Sequence, residues 1–339
     1  MNYKDKRVFI TGHTGFKGSW LTAILHELGA KIFGYSLAPA KNEMFDLIGG
    51  EKLCQQQIAD IRDFDTFEKA ILEFQPDIIF HLAAQPLVID SYKDPANTIT
   101  TNVVGTFLLA EILRTHKLSI PTVVVTTDKV YRNEEYGHPF LESDALGGKD
   151  IYSGSKSAAE ILTYSYAYSF DFLRLVTARA GNVIGGGDFS PNRIIPDIVR
   201  SIQTNQVLKL RSPQSVRPWQ HVLESLNGYL LLGDAMMTNK QLEAAYNFGS
   251  DPSDYHTVGE LVQLCESHLG INIPVNIENT TAIKEANLLR LDSTKALEQL
   301  NWHPKWNTHL AVGKTLNWYL KPNNEKLAIT KTQITEYFS

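Results

Sequence analysis

The segment Arg7–Leu28 does most to fix what this chain can become. A β-type run, Val8-Phe9-Ile10, leads into Thr11-Gly12-His13-Thr14-Gly15-Phe16-Lys17-Gly18. A stretch of helical periodicity follows at Ser19–Leu28, with Trp20, Leu21, Ile24, Leu25 and Leu28 on one side and Gly29 at its end. The glycines are spaced three and three. In that spacing the first permits a tight turn, the second lets backbone approach a pyrophosphate, and the third allows helix and strand to pack closely. The helix then aims its free N–H groups at the phosphates. Strand, turn and helix in this order point to a dinucleotide-binding βαβ unit, with Gly12, His13, Gly15, Phe16, Lys17 and Gly18 as candidate contacts.

The pattern continues through the first half. Lys31–Ser36 reads as a strand, Phe64–Phe74 as an amphipathic helix closed by Pro76, and Asp77–Ala83 as a buried strand. Tyr92–His116 carries a long helical pattern, Ile120–Thr126 is a second buried strand, Tyr152–Tyr168 is helical, and Phe172–Thr177 is a strand. Continuous apolar strands alternating with helices predict an α/β fold of the Rossmann type, a doubly wound parallel sheet. Beyond residue 180 the pattern loosens, with helical stretches at Ile194–Gln203, Glu224–Met237 and Thr257–Leu269 and a strand at Ala244–Phe248. We therefore expect a dinucleotide-binding domain over residues 1–180, with segments returning around 215–250. A smaller α+β domain over 181–339 would bind substrate at the C-terminal edge of the sheet.

Composition narrows the class. The 339 residues carry 32 Lys+Arg against 37 Asp+Glu, a net charge of −5, with no basic stripe to track a nucleic acid. The longest apolar runs, such as Ile78-Ile79-Phe80, fall far short of the ~20 residues a membrane helix needs. Two cysteines cannot build a disulfide framework and Met1–Lys6 is polar, so a cytoplasmic enzyme is expected, with no nucleic-acid or membrane partner. No His/Cys/Asp/Glu spacing suggests a metal, and His81 in its buried strand reads as a core histidine.

The chemistry-bearing residues cluster in three places. The acidic residue expected at the end of the second strand is replaced by Tyr35-Ser36-Leu37. With neither a carboxylate nor an arginine there, the residues leave open whether the cofactor carries a 2′-phosphate. They also leave open whether Lys17 substitutes as a contact or faces solvent. Asp60 and Ile61 follow the third strand, where adenine is contacted in such folds, and Leu82, Ala83 and Ala84 stand at the end of the strand Asp77–Ala83. Tyr152 and Lys156 stand four apart on one helical face, where an ammonium lowers a phenol's pKa and makes it a base. A strand ends at Thr126-Thr127-Asp128-Lys129, facing the same edge.

These landmarks resemble the extended short-chain dehydrogenases/reductases over nearly the full length, at Gly12–Trp20, His81–Val88, Thr101–Thr106, Tyr152–Lys156 and Arg217–Val222. Within that superfamily the strings Gly12-His13-Thr14-Gly15-Phe16-Lys17-Gly18-Ser19-Trp20, Ala84-Gln85-Pro86-Leu87-Val88, Ala180-Gly181-Asn182-Val183-Ile184 and Arg217-Pro218-Trp219-Gln220-His221-Val222 are similar to the sugar-nucleotide 4,6-dehydratases acting on CDP-glucose. Thr127-Asp128-Lys129 also resembles that branch. The dTDP-glucose type carries Asp-Glu at this pair, and a plain 4-epimerase has neither.

The resemblance implies NAD as cofactor and a nucleotide sugar as substrate. Thr127, Asp128, Lys129, Tyr152 and Lys156 would be the catalytic set. Tyr152, with Lys156 and Thr127, would take the O4 proton as hydride leaves C4, and Asp128 and Lys129 would eliminate water across C5 and C6, in roles the sequence does not divide. Asn182, Arg193 and Arg217 would bind the substrate near its diphosphate, which suits the guanidinium fork. Trp219 and His221 read as packing residues. The resemblance further implies a homodimer joined through Tyr92–His116 and Tyr152–Tyr168, and deoxysugar supply for a surface polysaccharide such as lipopolysaccharide O-antigen. Ile89-Asp90, Ile151 and Phe189 depart from the family's usual basic pair, proline and tryptophan.

Overall fold

The computed structural model describes residues 1–134, 137–238, 242–277 and 289–339. Seven strands form one parallel sheet: β1 (Arg7–Thr11), β2 (Lys31–Ser36), β3 (Gln55–Ile58), β4 (Ile78–His81), β5 (Thr122–Val125), β6 (Leu175–Arg179) and β7 (Ala245–Asn247). Their spatial order is β7-β6-β5-β4-β1-β2-β3, so the chain reverses direction between β1 and β4. That switch point opens the crevice at the C-terminal ends where ligands of such sheets bind.

Both faces of the sheet are covered, and β1 shows how. Alternate side chains of a strand point to opposite faces. Val8 and Ile10 join a core with Trp20, Leu21 and Leu25 of α1 (Phe16–Glu27), whereas Phe9 joins Phe67, Ile71 and Phe74 of α2 (Phe64–Phe74) and Leu109 and Leu113 of α3 (Gly105–Thr115). The second face is completed by α4 (Ile151–Ser169), and the first by α5 (Ile194–Thr204), α6 (Val222–Met237), α7 (Val258–Leu269), α8 (Thr308–Leu320) and α9 (Lys326–Phe338).

The single helix expected over Tyr92–His116 is broken. Val88–Lys93 ends at Asp94, and Pro95, which has no N–H to donate, opens Pro95–Ile99 with the Asp94 side chain capping Asn97 N. A wide turn at Thr100–Val104 then leads into α3. It holds Asn102 buried, bonded to Gln85 N at 2.8 Å and to Ser155 Oγ of α4 at 2.9 Å. In the second half, Val183–Ile184 pairs with Gln220–His221, Val216–Arg217 with His256–Thr257, and Leu208–Leu210 with Val275–Ile277. The sheet itself draws β7 from residues 245–247, so chain beyond residue 180 completes it. Among the described residues no helix is long and apolar enough to cross a membrane.

Candidate active site

The glycine turn is shaped by close approach. Gly12 has φ +74°, and a Cβ there would lie 2.7 Å from the Ala83 nitrogen; one on Gly18 would lie 2.0 Å from the Gly12 oxygen. Both must therefore be glycine. A Cβ on Gly15 would meet only the Gly12 oxygen, at 3.4 Å, so the space above it is open, and no side chain caps the first turn of α1. The cradle and its free N–H groups fit a dinucleotide pyrophosphate. Leu82 N and Ala83 N bond back to Thr11, tying the end of β4 to the turn.

The neighbouring expectations need adjusting. His13 is fully buried over Gly34, bonded through Nε2 to Gln56, and burial holds its pKa down. It braces the turn from beneath. Where the missing carboxylate would stand, Ser36 Oγ and Thr14 Oγ1 pair at 2.8 Å. The Ile61 side chain packs against Gly105 in the core, and Asp60 is engaged by Arg62, which lowers its pKa. Lys17 does not reach toward β2. Its ammonium bonds to the Tyr229 hydroxyl of α6 at 3.0 Å, and burial, with Arg193 beside it, lowers its pKa to about 7.

Across the crevice, Asp150 caps α4 by accepting from Ser153 N at 2.9 Å, and the helix then presents Tyr152 and Lys156 inward, both buried. At the end of β5, Thr127 opens a short turn through Asp128–Val130, with Asp128 2 % exposed. Thr127 Oγ1 donates to Asp128 Oδ1 at 2.9 Å. Asn182, in a left-handed backbone conformation, donates to Asp128 Oδ2 at 3.3 Å. A Cβ on Gly181 would sit 1.9 Å from that same oxygen, so only glycine leaves room for the carboxylate. Thr127, Asp128 and Asn182 thus form one connected group, Lys129 extends the same turn, and Tyr152 and Lys156 stand on successive turns of α4.

One sequence-based expectation fails here. The Tyr152 phenol is not lowered toward neutrality; burial lifts it to about 12, opposed by Thr127 and Arg193. Lys156 donates to the Val125 carbonyl at 3.1 Å, and burial lowers its own pKa to about 8 against the pull of Glu160. Desolvation outweighs the four-residue spacing. His81 is a satisfied core histidine, held between Thr11 and Thr106.

Behind the cluster lies a polar network that the sequence reading did not single out. Glu160, one turn past Lys156, accepts from Arg179 of β6 at 2.8 Å and 2.9 Å, from Thr177, and from Thr126. Arg179 reaches on to the Tyr131 hydroxyl at 2.6 Å, and Tyr131 to Asn247 of β7 at 2.7 Å. A buried charge pair needs such full satisfaction. The available signal was Arg179 ending an otherwise apolar strand.

On the substrate side, Arg193 pairs with buried Asp188 at 2.7 Å, and its charge still acts on Tyr152 and Lys17. Arg217, half-buried, donates to the Val216 carbonyl in its short ladder with His256. Trp219 and His221 are buried, the latter between Trp20 and Trp306. Among the described residues no group of three or more His, Cys, Asp or Glu is arranged to hold a metal.

Comparison with known proteins accords with this geometry. The profile of the family described as GDP-mannose 4,6 dehydratase matches residues 9–315. The chain is 40% identical to the CDP-glucose 4,6-dehydratase of Salmonella typhimurium, covering 99% of this chain and 97% of the relative. It is 23% identical to the dTDP-glucose 4,6-dehydratase of Haemophilus influenzae, over 92% and 97%. Among solved structures, the dTDP-glucose 4,6-dehydratase of Bacillus anthracis in complex with NAD superposes with a TM-score of 0.79 at 23% identity, over 92% of this chain and 96% of the other. The UDP-glucuronic acid 4-epimerase of Bacillus cereus gives 0.81 at 20%, over 92% and 98%. The chain therefore belongs to the GDP-mannose 4,6 dehydratase family, sugar-nucleotide 4,6-dehydratases, here built on a Rossmann-type sheet.

Proposed function

We propose that the protein is a CDP-glucose 4,6-dehydratase, converting CDP-glucose to CDP-4-keto-6-deoxyglucose and water. The observation that carries this reading is the buried Asp128 at the end of β5, with Lys129 beside it, accepting from Thr127 and Asn182. A dehydration needs one group to protonate a departing hydroxyl and another to take a proton from carbon, beyond the residue that handles O4. An epimerisation needs neither. The 40% identity to a relative named for CDP-glucose supports the base and sugar.

NAD would lie across the Gly12–Gly18 turn, its pyrophosphate on the first turn of α1 and its nicotinamide half near Tyr152 and Lys156. Bound there, NAD would supply the acceptor for the C4 hydride and its return to C6. Tyr152 meets O4 of the sugar, and Lys156 orients beside it. Once C4 is a ketone, the C5 hydrogen is acidic, and Asp128 and Lys129 act across C5 and C6. Asn182 holds the Asp128 carboxylate in place, and Arg193 and Arg217 would hold the diphosphate. We assign the nucleotide-sugar domain mainly to residues 181–339.

The reading includes a homodimer, supported by the outer face of α3 and α4, where Phe107, Ile161, Tyr164 and Tyr168 are exposed, Tyr168 at 80 %. A cytoplasmic role supplying deoxysugar for a surface polysaccharide, such as O-antigen, fits a soluble nucleotide-sugar substrate. The test is incubation with CDP-glucose and NAD, followed by alkali. The expected result is the absorbance of a 4-keto-6-deoxy sugar; recovery of CDP-galactose, or of unchanged substrate, would refute the assignment.

A further inference from the structure

We propose that Tyr319, near the C-terminal end of α8 and outside the catalytic cluster, is a positioning residue for substrate binding: acting through Asp188, it fixes the Arg193 guanidinium for the nucleotide diphosphate. This rests on the reading of Arg193 as a diphosphate ligand given above and extends it to the C-terminal helices.

The loop that carries Arg193 starts inside the site. Asn182 donates to Asp128, Val183–Ile184 pairs with Gln220–His221, and the chain then runs through Gly185–Gly187 to Asp188 and Arg193. Buried Asp188 is where this loop is gripped. Its Oδ2 accepts from Arg193 Nη1 at 2.7 Å, its Oδ1 accepts from Ser190 N at 3.1 Å, and its carbonyl accepts from the Tyr319 hydroxyl. Phe189 meets the Tyr319 ring edge-on, with centroids 5.7 Å apart. Arg200 of α5 donates to the Phe189 and Ser190 carbonyls at 3.0 Å and 3.2 Å. Trp20 donates to the Gly186 carbonyl at 2.8 Å, and a Cβ on Gly186 would lie 2.0 Å from Trp318 Cγ, so α8 closes directly on the loop backbone.

Tyr319 is itself held. The buried Lys326 ammonium donates to the Trp318 and Tyr319 carbonyls at 2.7 Å and 3.2 Å, satisfying groups that the end of α8 leaves open. Trp318 Nε1 donates to Thr330 of α9 at 2.9 Å. The α8–α9 pair is thus the fixed side of a clamp and Arg193 its working end. The Arg193 side chain is 34 % exposed, against 4 % for Asp188. A guanidinium has five N–H donors, so Arg193 can keep Asp188 on Nη1 and still offer donors to a phosphate oxygen. Its planar fork binds such oxygens well only when held in one orientation. A phenylalanine at 319 would fill the same space; the hydroxyl adds the hold on Asp188.

The experiment compares the native protein, Tyr319→Phe, Arg193→Gln and the double variant, each loaded with NAD, by steady-state kinetics on CDP-glucose and by calorimetric binding of CDP. Arg193→Gln should raise KM and weaken CDP. Tyr319→Phe should raise KM and the Kd for CDP about three- to tenfold, the worth of one hydrogen bond, and kcat should move less than KM. In the Arg193→Gln background, Tyr319→Phe should change neither, since two residues acting through one contact are not additive. A lowered melting temperature with native KM and CDP affinity would make Tyr319 a packing residue and overturn the proposal. So would an equal rise in KM in both backgrounds. Should Tyr319→Phe fail to fold, Asp188→Asn keeps the carbonyl that Tyr319 holds but loosens Arg193. It should show the same rise, again absent in the Arg193→Gln background, and a native KM would overturn the link. Failure of the underlying reading is separate: Arg193→Gln would then itself bind CDP and turn over CDP-glucose with native constants.

Discussion

At the scale of single residues, the site is fixed by what does not fit as much as by what bonds. Gly181→Ala places a methyl 1.9 Å from the Asp128 carboxylate and must turn it away from Thr127 and Asn182. We expect a fall in kcat of roughly 10²–10⁴, the range for losing one acid–base group, with the fold retained in circular dichroism. Lys129→Met should lose product formation by a similar factor yet still reduce nicotinamide on mixing with CDP-glucose; full dehydration by this variant would remove Lys129 from the reaction. Lys17 offers a stability test. Its folded pKa is about 7 against 10.5 for a free lysine, so between those values the unfolded chain binds a proton that the folded chain does not, and stability rises with pH across that window. The penalty for burying the ammonium is therefore fullest below about pH 7. Lys17→Met should raise the melting temperature more there than near pH 10, as thermal unfolding at the two pH values would show. Tyr152, Lys156, Asp128 and the turn glycines were legible in the chain because their chemistry demands fixed residue types at short spacing. The Lys17–Tyr229 bond spans 212 positions, and no local pattern encodes it.

At the scale of elements, α4 has two jobs. Its first two turns present Tyr152 and Lys156, and its third clamps β6 through Glu160 and Arg179. Glu160→Gln removes the charge opposite a buried guanidinium, and breaking such a pair costs about 3–5 kcal/mol, visible as a lower urea midpoint. The same charge raises the Lys156 pKa, so its loss should move the alkaline limb of the kcat/KM profile to lower pH. An unmoved limb would mean that Glu160 serves packing alone. Periodicity located α1, α2 and α4 within a few residues, because an apolar stripe against a sheet leaves a local trace. It merged three pieces between Val88 and Thr115, which the Pro95 break and the wide turn at Thr100–Val104 divide.

At the scale of the whole molecule, the C-terminal helix α9 is tied into the core by Tyr337, whose hydroxyl donates to Glu224 at 2.5 Å. The same buried carboxylate accepts from the backbone of Lys305 and Trp306. Tyr337→Phe leaves it one donor short, and we expect a loss of about 1–3 kcal/mol in chemical denaturation with KM unchanged. The alternating first half announced the sheet and Ala244–Phe248 already read as a strand, but its pairing with β6 and the helices after residue 290 were hard to read, since their partners lie far off in sequence. That remoteness has a consequence during synthesis. The outer edge of β6 has no partner until Ala245–Asn247 has been made, 68 residues after Arg179. At bacterial or eukaryotic elongation rates this is about 3–14 s in which an apolar strand edge is bare on the ribosome. A nascent chain stalled in that interval should bind chaperones or pair with its neighbours, and the first 180 residues released alone should aggregate.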